Sequence, residues 1–283
     1  MKSGIELFEK RLHPAVIADI KAWSQDSELS KLLEKLQSLN DAQHFLNHYA
    51  EVMVARHLIK RGCKLEVEVP TVNRRSADFK VSKDDHTFFL HVKRLNVDEE
   101  TQKEMKIHHR LQNLKKIRKP VMFGIVFFKC LNDREMQEFY KQAKDFIKKG
   151  KIGERMTFED SAGQELAECE ISGWNNMERV QLVVAMSVKH ADDAKRLYKK
   201  LSDAYKQFMP DNTNIILVTG TWKENIVEFE ESLLEPNGFW EDDKHSASEM
   251  VGWFDFRVED DYINFRTWCR EKCNVPTAIQ KLF

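Results

Sequence analysis

A periodic helix that runs into a glycine turn, and then into three strand-forming segments, governs the first third of this chain. Leu46, Tyr49, Ala50, Met53, Val54 and Leu58 recur at steps of three and four, so one face of the segment is apolar. Asp41 stands where such a helix needs an N-cap, and the helix is expected to run to Arg61. Gly62 follows, at a position where a positive φ costs glycine little. Leu65, Val67 and Val69 then alternate with Glu66 and Glu68 until Pro70 stops the run. Residues 77–81 and 87–95 are two further runs rich in strand formers.

The last two runs read as a hairpin, because Ser82-Lys83-Asp84-Asp85-His86 between them is polar and turn-forming. A loop of two or four residues centred between Asp84 and Asp85 sets Asp78 directly opposite His91. Lys93, two residues beyond His91, shares its face of the sheet. A carboxylate, an imidazole and an ammonium are therefore expected on one patch, and a slip of one residue would undo the arrangement. On the helix, His44, His48 and Glu51 share a polar face; for the two histidines a solvated surface is favoured over a metal site.

These residues resemble the core of the PD-(D/E)XK nuclease superfamily, the restriction-endonuclease-like fold. Ser76-Ala77-Asp78 matches the family's Pro-Asp element, His91-Val92-Lys93 its acid-x-Lys element, and Glu51 the acid on the preceding helix. The resemblance covers residues 41–130, and it departs from the family at position 91, where a carboxylate is expected and His91 stands. It implies hydrolysis of DNA phosphodiester bonds with Mg²⁺ or Mn²⁺. Asp78, Lys93 and Glu51 would be the catalytic residues, and Asp78, His91 and Glu51 the metal ligands.

A hard oxygen ligand such as Asp78 suits Mg²⁺, whereas a neutral imidazole is matched to Mn²⁺ or Zn²⁺. A lysine beside the metal stabilises charge that develops on phosphate, or positions the attacking water. Three readings follow: a Mn²⁺-preferring nuclease, a nuclease that draws its second acid from Glu51 or elsewhere, and a degenerate fold that binds nucleic acid or a protein partner without cutting.

The segment 101–119 is basic. Lys103, Lys106, Arg110, Lys115, Lys116, Arg118 and Lys119 face a single acid, Glu104, while Met105, Ile107, Leu111, Leu114 and Ile117 supply a helical apolar side. Lys106, Arg110 and Lys115 are the candidate phosphate contacts on this helix, with an ordinary charged face as the equal alternative. Beyond it, residues 121–128, 180–186 and 214–219 are apolar runs suited to buried strands, and 134–149, 191–209 and 224–234 are helical. The alternation argues an α/β fold, with a mixed central sheet flanked by helices and the C-terminal half extending the same sheet. The expected divisions are an N-terminal helical arm over 1–40, a core over 41–222 with a hairpin insertion near 154–172, and an acidic extension over 223–283 packing on the core. Between Glu224 and Asp261 thirteen acids face only Lys244 and Arg257, which reads as a solvated surface ahead of a partner site. An edge strand is expected over 250–258, its aromatics packing rather than binding bases.

A formal net charge of −1 excludes a chain that is basic throughout, so any nucleic-acid surface is local. Five cysteines without a CxxC pair, and no signal-like N-terminus, point to reduced thiols in the cytoplasm. Cys269 and Cys273, one helical turn apart, are expected on a packed helix face rather than in a metal site. No run approaches the roughly 18 apolar residues of a membrane span, so no membrane partner is expected. DNA is the expected partner, and a homodimer is one assembly that the sequence permits.

Overall fold

The structure is a computed structural model that describes residues 5, 9–39, 41–72, 74–97, 109–129, 131–186, 193–220, 225–241 and 243–283. The chain divides into two compact units: Met1–Asn96 with Asp192–Phe283, and Val97–Ala191 between them. These boundaries differ from divisions at 40 and 222. The N-terminal helices α1 (Pro14–Ala22) and α2 (Leu29–Ser38) bury Val16, Ile20, Leu32 and Leu36 in the core of the first unit itself.

Helix α3 (Ala42–Lys60) starts as the sequence predicts. The Asp41 carboxylate accepts from the backbone N–H groups of Gln43 and His44, each at 2.9 Å. It ends at Gly62, whose φ of +78° is the left-handed turn that the glycine makes cheap. Three antiparallel strands follow: β1 (Lys64–Pro70), β2 (Ser76–Lys83) and β3 (His86–Arg94). The hairpin loop is the two residues Asp84 and Asp85, with Lys83 opposite His86 and Asp84 at φ +50°. The expected register is therefore the observed one. Phe79, Val81, Leu90 and Val92 join Ala50, Met53, Val54 and Leu58 of α3 in one apolar cluster.

The first unit is completed by α5 (Asp193–Tyr205), β8 (Asn214–Thr219), α6 (Asn225–Leu234), β9 (Met250–Asp255), β10 (Asn264–Cys269) and the short α7 (Thr277–Gln280), where α4 and β4 to β7 belong to the second unit below. Strand β8 lies parallel to β3, and the sheet order is β1-β2-β3-β8-β9-β10. Every residue of β8 is buried, because both of its faces are covered. Ile215 and Leu217 face the α3 cluster; Ile216 and Val218 face Leu197, Leu201 and Phe229 of α5 and α6. Strand β9 pairs on both sides, so it is an inner strand and the expected edge at 250–258 is wrong. Its aromatics Trp253 and Phe254 pack in the core, as expected. Cys269 ends β10 with Cys273 in the turn after it, so the pair does not share a helix face.

The second unit builds its own sheet, in the order β5-β6-β4-β7, from β4 (Val121–Phe127), β5 (Arg155–Glu159), β6 (Glu165–Trp174) and β7 (Gln181–Met186). The expectation of one shared sheet fails here. The apolar runs at 121 and 181 pair with each other in parallel rather than with β3 or β8. Helix α4 (Asp133–Lys149) opens with a capping box between Asn132 and Glu135 and packs Met136, Phe139, Ala143 and Ile147 on this sheet. Among the described residues no helix is long and apolar enough to cross a membrane.

Candidate functional site

The β2–β3 ladder ends at Phe79 opposite Leu90, one position short of Asp78 opposite His91. Where the pairing stops, the Asp78 side chain takes over: its Oδ2 accepts from the backbone N–H of Val92 at 2.7 Å and from Lys93 Nζ at 3.2 Å. The carboxylate thus replaces a main-chain acceptor, which fixes its position and its distance from the lysine. Both side chains are about four-fifths buried, so their attraction is less screened than that of a surface pair.

His91 is fully buried. Its ring stacks on Phe208, with centroids 5.1 Å apart, and its Nε2 lies 3.3 Å from Asn214 Oδ1. The Asn214 amide is itself fixed. Its Nδ2 donates to the carbonyls of Met209 and Asn212, and its Oδ1 accepts from Met209 N–H. Nε2 must therefore carry the proton and donate, leaving the lone pair on Nδ1; Nδ1 makes no close hydrogen bond among the described residues, and Gln207 is a further side-chain neighbour of the ring. Burial pushes the imidazole pKa down to about 4; the Asp78 charge opposes that shift and the Lys93 charge adds to it. His91 is neutral at physiological pH.

Glu51 lies elsewhere in the polar network. Its carboxylate is 3.2 Å from His48 Nδ1 and 4.0 Å from Lys35 Nζ, and Lys35 also pairs with Glu68 of β1. Helix α3 packs against Phe79, Leu90 and Val92, the alternate positions to Asp78, His91 and Lys93. The structure therefore brings Asp78, His91 and Lys93 together and gives Glu51 other partners. Among the described residues no three His, Cys, Asp or Glu side chains gather as a metal site. By donor type alone, the Asp78 carboxylate and the His91 imidazole would suit a borderline cation such as Mn²⁺. They do not make the all-oxygen set that Mg²⁺ prefers.

Comparisons with protein-family models, with curated proteins and with solved structures find no match.

The basic segment belongs to the second unit. Lys106 lies outside the described residues. Residues 109–111 are helical, and Gln112–Lys116 is a 3₁₀ turn that buries Leu114. Arg110 is exposed and pairs with Asp133 at 2.6 Å, and Lys115 is partly exposed. Lys119 is structural: its ammonium donates to the carbonyls of Ile147 and Gly150 at the end of α4.

Sequence reasoning missed three participants. Asn214 sets the His91 tautomer, Phe208 covers the ring, and Lys200 of α5 stands close enough to Lys93 for the two charges to act on each other. Burial, and then the charge of Lys93, lower the Lys200 pKa. The clustered lysines of Lys195-Arg196-Leu197-Tyr198-Lys199-Lys200 were the visible signal.

Proposed function

We propose that this chain is a metal-dependent nuclease that hydrolyses DNA phosphodiester bonds, built on a restriction-endonuclease-like core and acting in the cytoplasm. The observation that carries the reading is the Asp78–Lys93 pair, held at 3.2 Å where the β2–β3 ladder ends. The element order supports it: α3, three antiparallel strands, α5, and β8 parallel to β3.

In this reading Asp78 and Nδ1 of His91 hold a divalent cation, Mn²⁺ ahead of Mg²⁺. When bound, the cation supplies charge to polarise the phosphate and lower the pKa of water. Lys93 places its ammonium against the anionic oxygens and stabilises the charge that builds on them. The Val92 N–H keeps the Asp78 carboxylate from swinging away, and the Asn214 contact keeps the His91 lone pair free of a proton. Glu51 enters only through a change of its present partners.

The second reading is a protein that binds nucleic acid or a protein partner without cutting. A specific observation favours it: the position where the resemblance calls for an acid holds a buried, neutral imidazole, leaving one carboxylate at the site. Plasmid nicking with Mn²⁺ and with Mg²⁺, on wild type, Asp78→Ala and Lys93→Ala, separates the two. A nuclease cuts best with Mn²⁺, and both variants abolish cutting. A binder is inert with either metal, and its Asp78→Ala variant holds DNA as well or slightly better. Equal nicking by all three proteins would remove Asp78 and Lys93 from the chemistry.

A further inference from the structure

The last turns of α3 and the segment Asp261-Tyr262-Ile263, which leads into β10, enclose a cleft of about 380 Å³. That volume falls within the roughly 300–1,000 Å³ of small-ligand sites. Helix α3 packs on Phe79, Leu90 and Val92, so the cleft stands apart from Asp78 and Lys93, which project from the other face of the sheet.

Three cations line the cleft, Arg56, Lys60 and Arg61, against one carboxylate, Asp261. Arg56 is buried, and it uses up that carboxylate. Its Nε donates to Asp19, its Nη1 donates to the Asp261 carbonyl, and its Nη2 lies 3.7 Å from the Asp261 carboxylate. The guanidinium thus ties the wall at 261–263 to α3 and fixes the shape of the cleft. Lys60 and Arg61 remain, both exposed. Arg61 donates to the Lys281 carbonyl at 3.1 Å, which leaves its charge unpaired. The Lys60 ammonium has no partner among the described residues. A helix C-terminus attracts such cations, but it does not account for the ring beside them. Tyr262 leaves 58% of its surface in solvent and meets no other ring among the described residues. Met53 and Ile263 supply the apolar lining. His57 is anchored by an Nε2–H donated to the Leu282 carbonyl at 2.6 Å, so its Nδ1 is left as an acceptor.

We propose that this cleft binds a nucleoside phosphate, with the phosphate on Lys60 and Arg61 and the base on the ring of Tyr262. Ammonium and guanidinium groups both take phosphate oxygens. A tyrosine face accepts any base, because every base has a π-face. A bare phosphate would leave the ring unused, and an uncharged ring system would leave two cations without an anion. The site needs no metal and does not rest on the nuclease reading. Its ligand chemistry is shared by a free nucleotide and by a unit of a single strand.

The test uses the full chain with adenosine 5′-monophosphate as the probe, titrated calorimetrically in EDTA so that no metal at Asp78 takes part. Wild type should bind saturably, and adenosine should bind about tenfold more weakly or worse. Lys60→Met and Tyr262→Ala should each weaken binding about tenfold, while Tyr262→Phe and the distant Lys141→Met keep wild-type affinity. Both altered side chains are exposed, so the fold should tolerate their loss. Asp78→Ala should bind as wild type does. A wild type that does not bind, or wild-type affinity in either Lys60→Met or Tyr262→Ala, would overturn the site. So would displacement of the nucleotide by equimolar inorganic phosphate, or a loss of binding in Asp78→Ala, which would move the nucleotide to the other face. Competition with hexathymidylate separates the two sources: displacement identifies a strand, and its absence a free nucleotide.

Discussion

Neutral His91 should leave a signature in the acid stability of the protein, and its size follows from its surroundings. The imidazole is buried, stacked on Phe208, and lowered from its ordinary 6.5 to about 4. In the unfolded chain it takes up a proton as pH falls below 6.5, while the folded chain does not until about pH 4. Stability from this group is therefore complete above pH 6.5, falls between pH 6.5 and 4, and is gone below. The full loss is about 3 kcal/mol, of which about 2 kcal/mol falls between pH 7 and pH 5. The perturbation is His91→Gln, which keeps an N–H donor for Asn214 and cannot titrate. Losing the stack on Phe208 costs the variant about 1 kcal/mol at every pH, which lowers its curve without tilting it. Urea unfolding of metal-free protein at pH 7, 6 and 5 gives the two curves. Wild type should lose about 2 kcal/mol more than the variant over that range. Parallel curves would refute a buried neutral imidazole, and with it the assignment of an open lone pair to Nδ1.

Asn214→Ala should destabilise the protein by about 3 kcal/mol in urea unfolding, since it strands the His91 Nε2–H and three main-chain groups in a buried place. Lys119→Ala should cost about 1 kcal/mol by freeing the carbonyls at the end of α4, and hydrogen exchange should rise at that helix end. If the second unit contacts DNA phosphates, Lys115→Ala should reduce the salt slope of duplex binding by about one unit; an unchanged slope would leave Lys115 as plain surface. His91→Glu should raise affinity for Mg²⁺ in isothermal titration, because it adds an oxygen donor and charge next to Asp78. No gain would mean that position 91 does not face the cation.

Much of the candidate site was readable in the chain because it depends on local rules. The turn residues Asp84 and Asp85 set the hairpin, the hairpin sets the register, and the two-residue period of strands puts Asp78, His91 and Lys93 on one side. Asp41 and Gly62 bracket helix α3 for equally local reasons. What the tertiary structure alone decided is which strand lies beside which. The apolar runs at 121, 181 and 214 look alike in composition, and nothing local says that the first two build a separate sheet while the third joins β3. The charge state of His91 is likewise decided at a distance. Phe208 and Asn214 come from more than a hundred residues away to bury the ring and choose its proton. Glu51 shows the limit from the other side: its place on a polar helix face beside His48 was legible, but its second partner Lys35 was set by how α2 packs on α3. Local propensity and period act over a few residues, whereas strand neighbours, burial and ion pairing depend on the whole core closing at once.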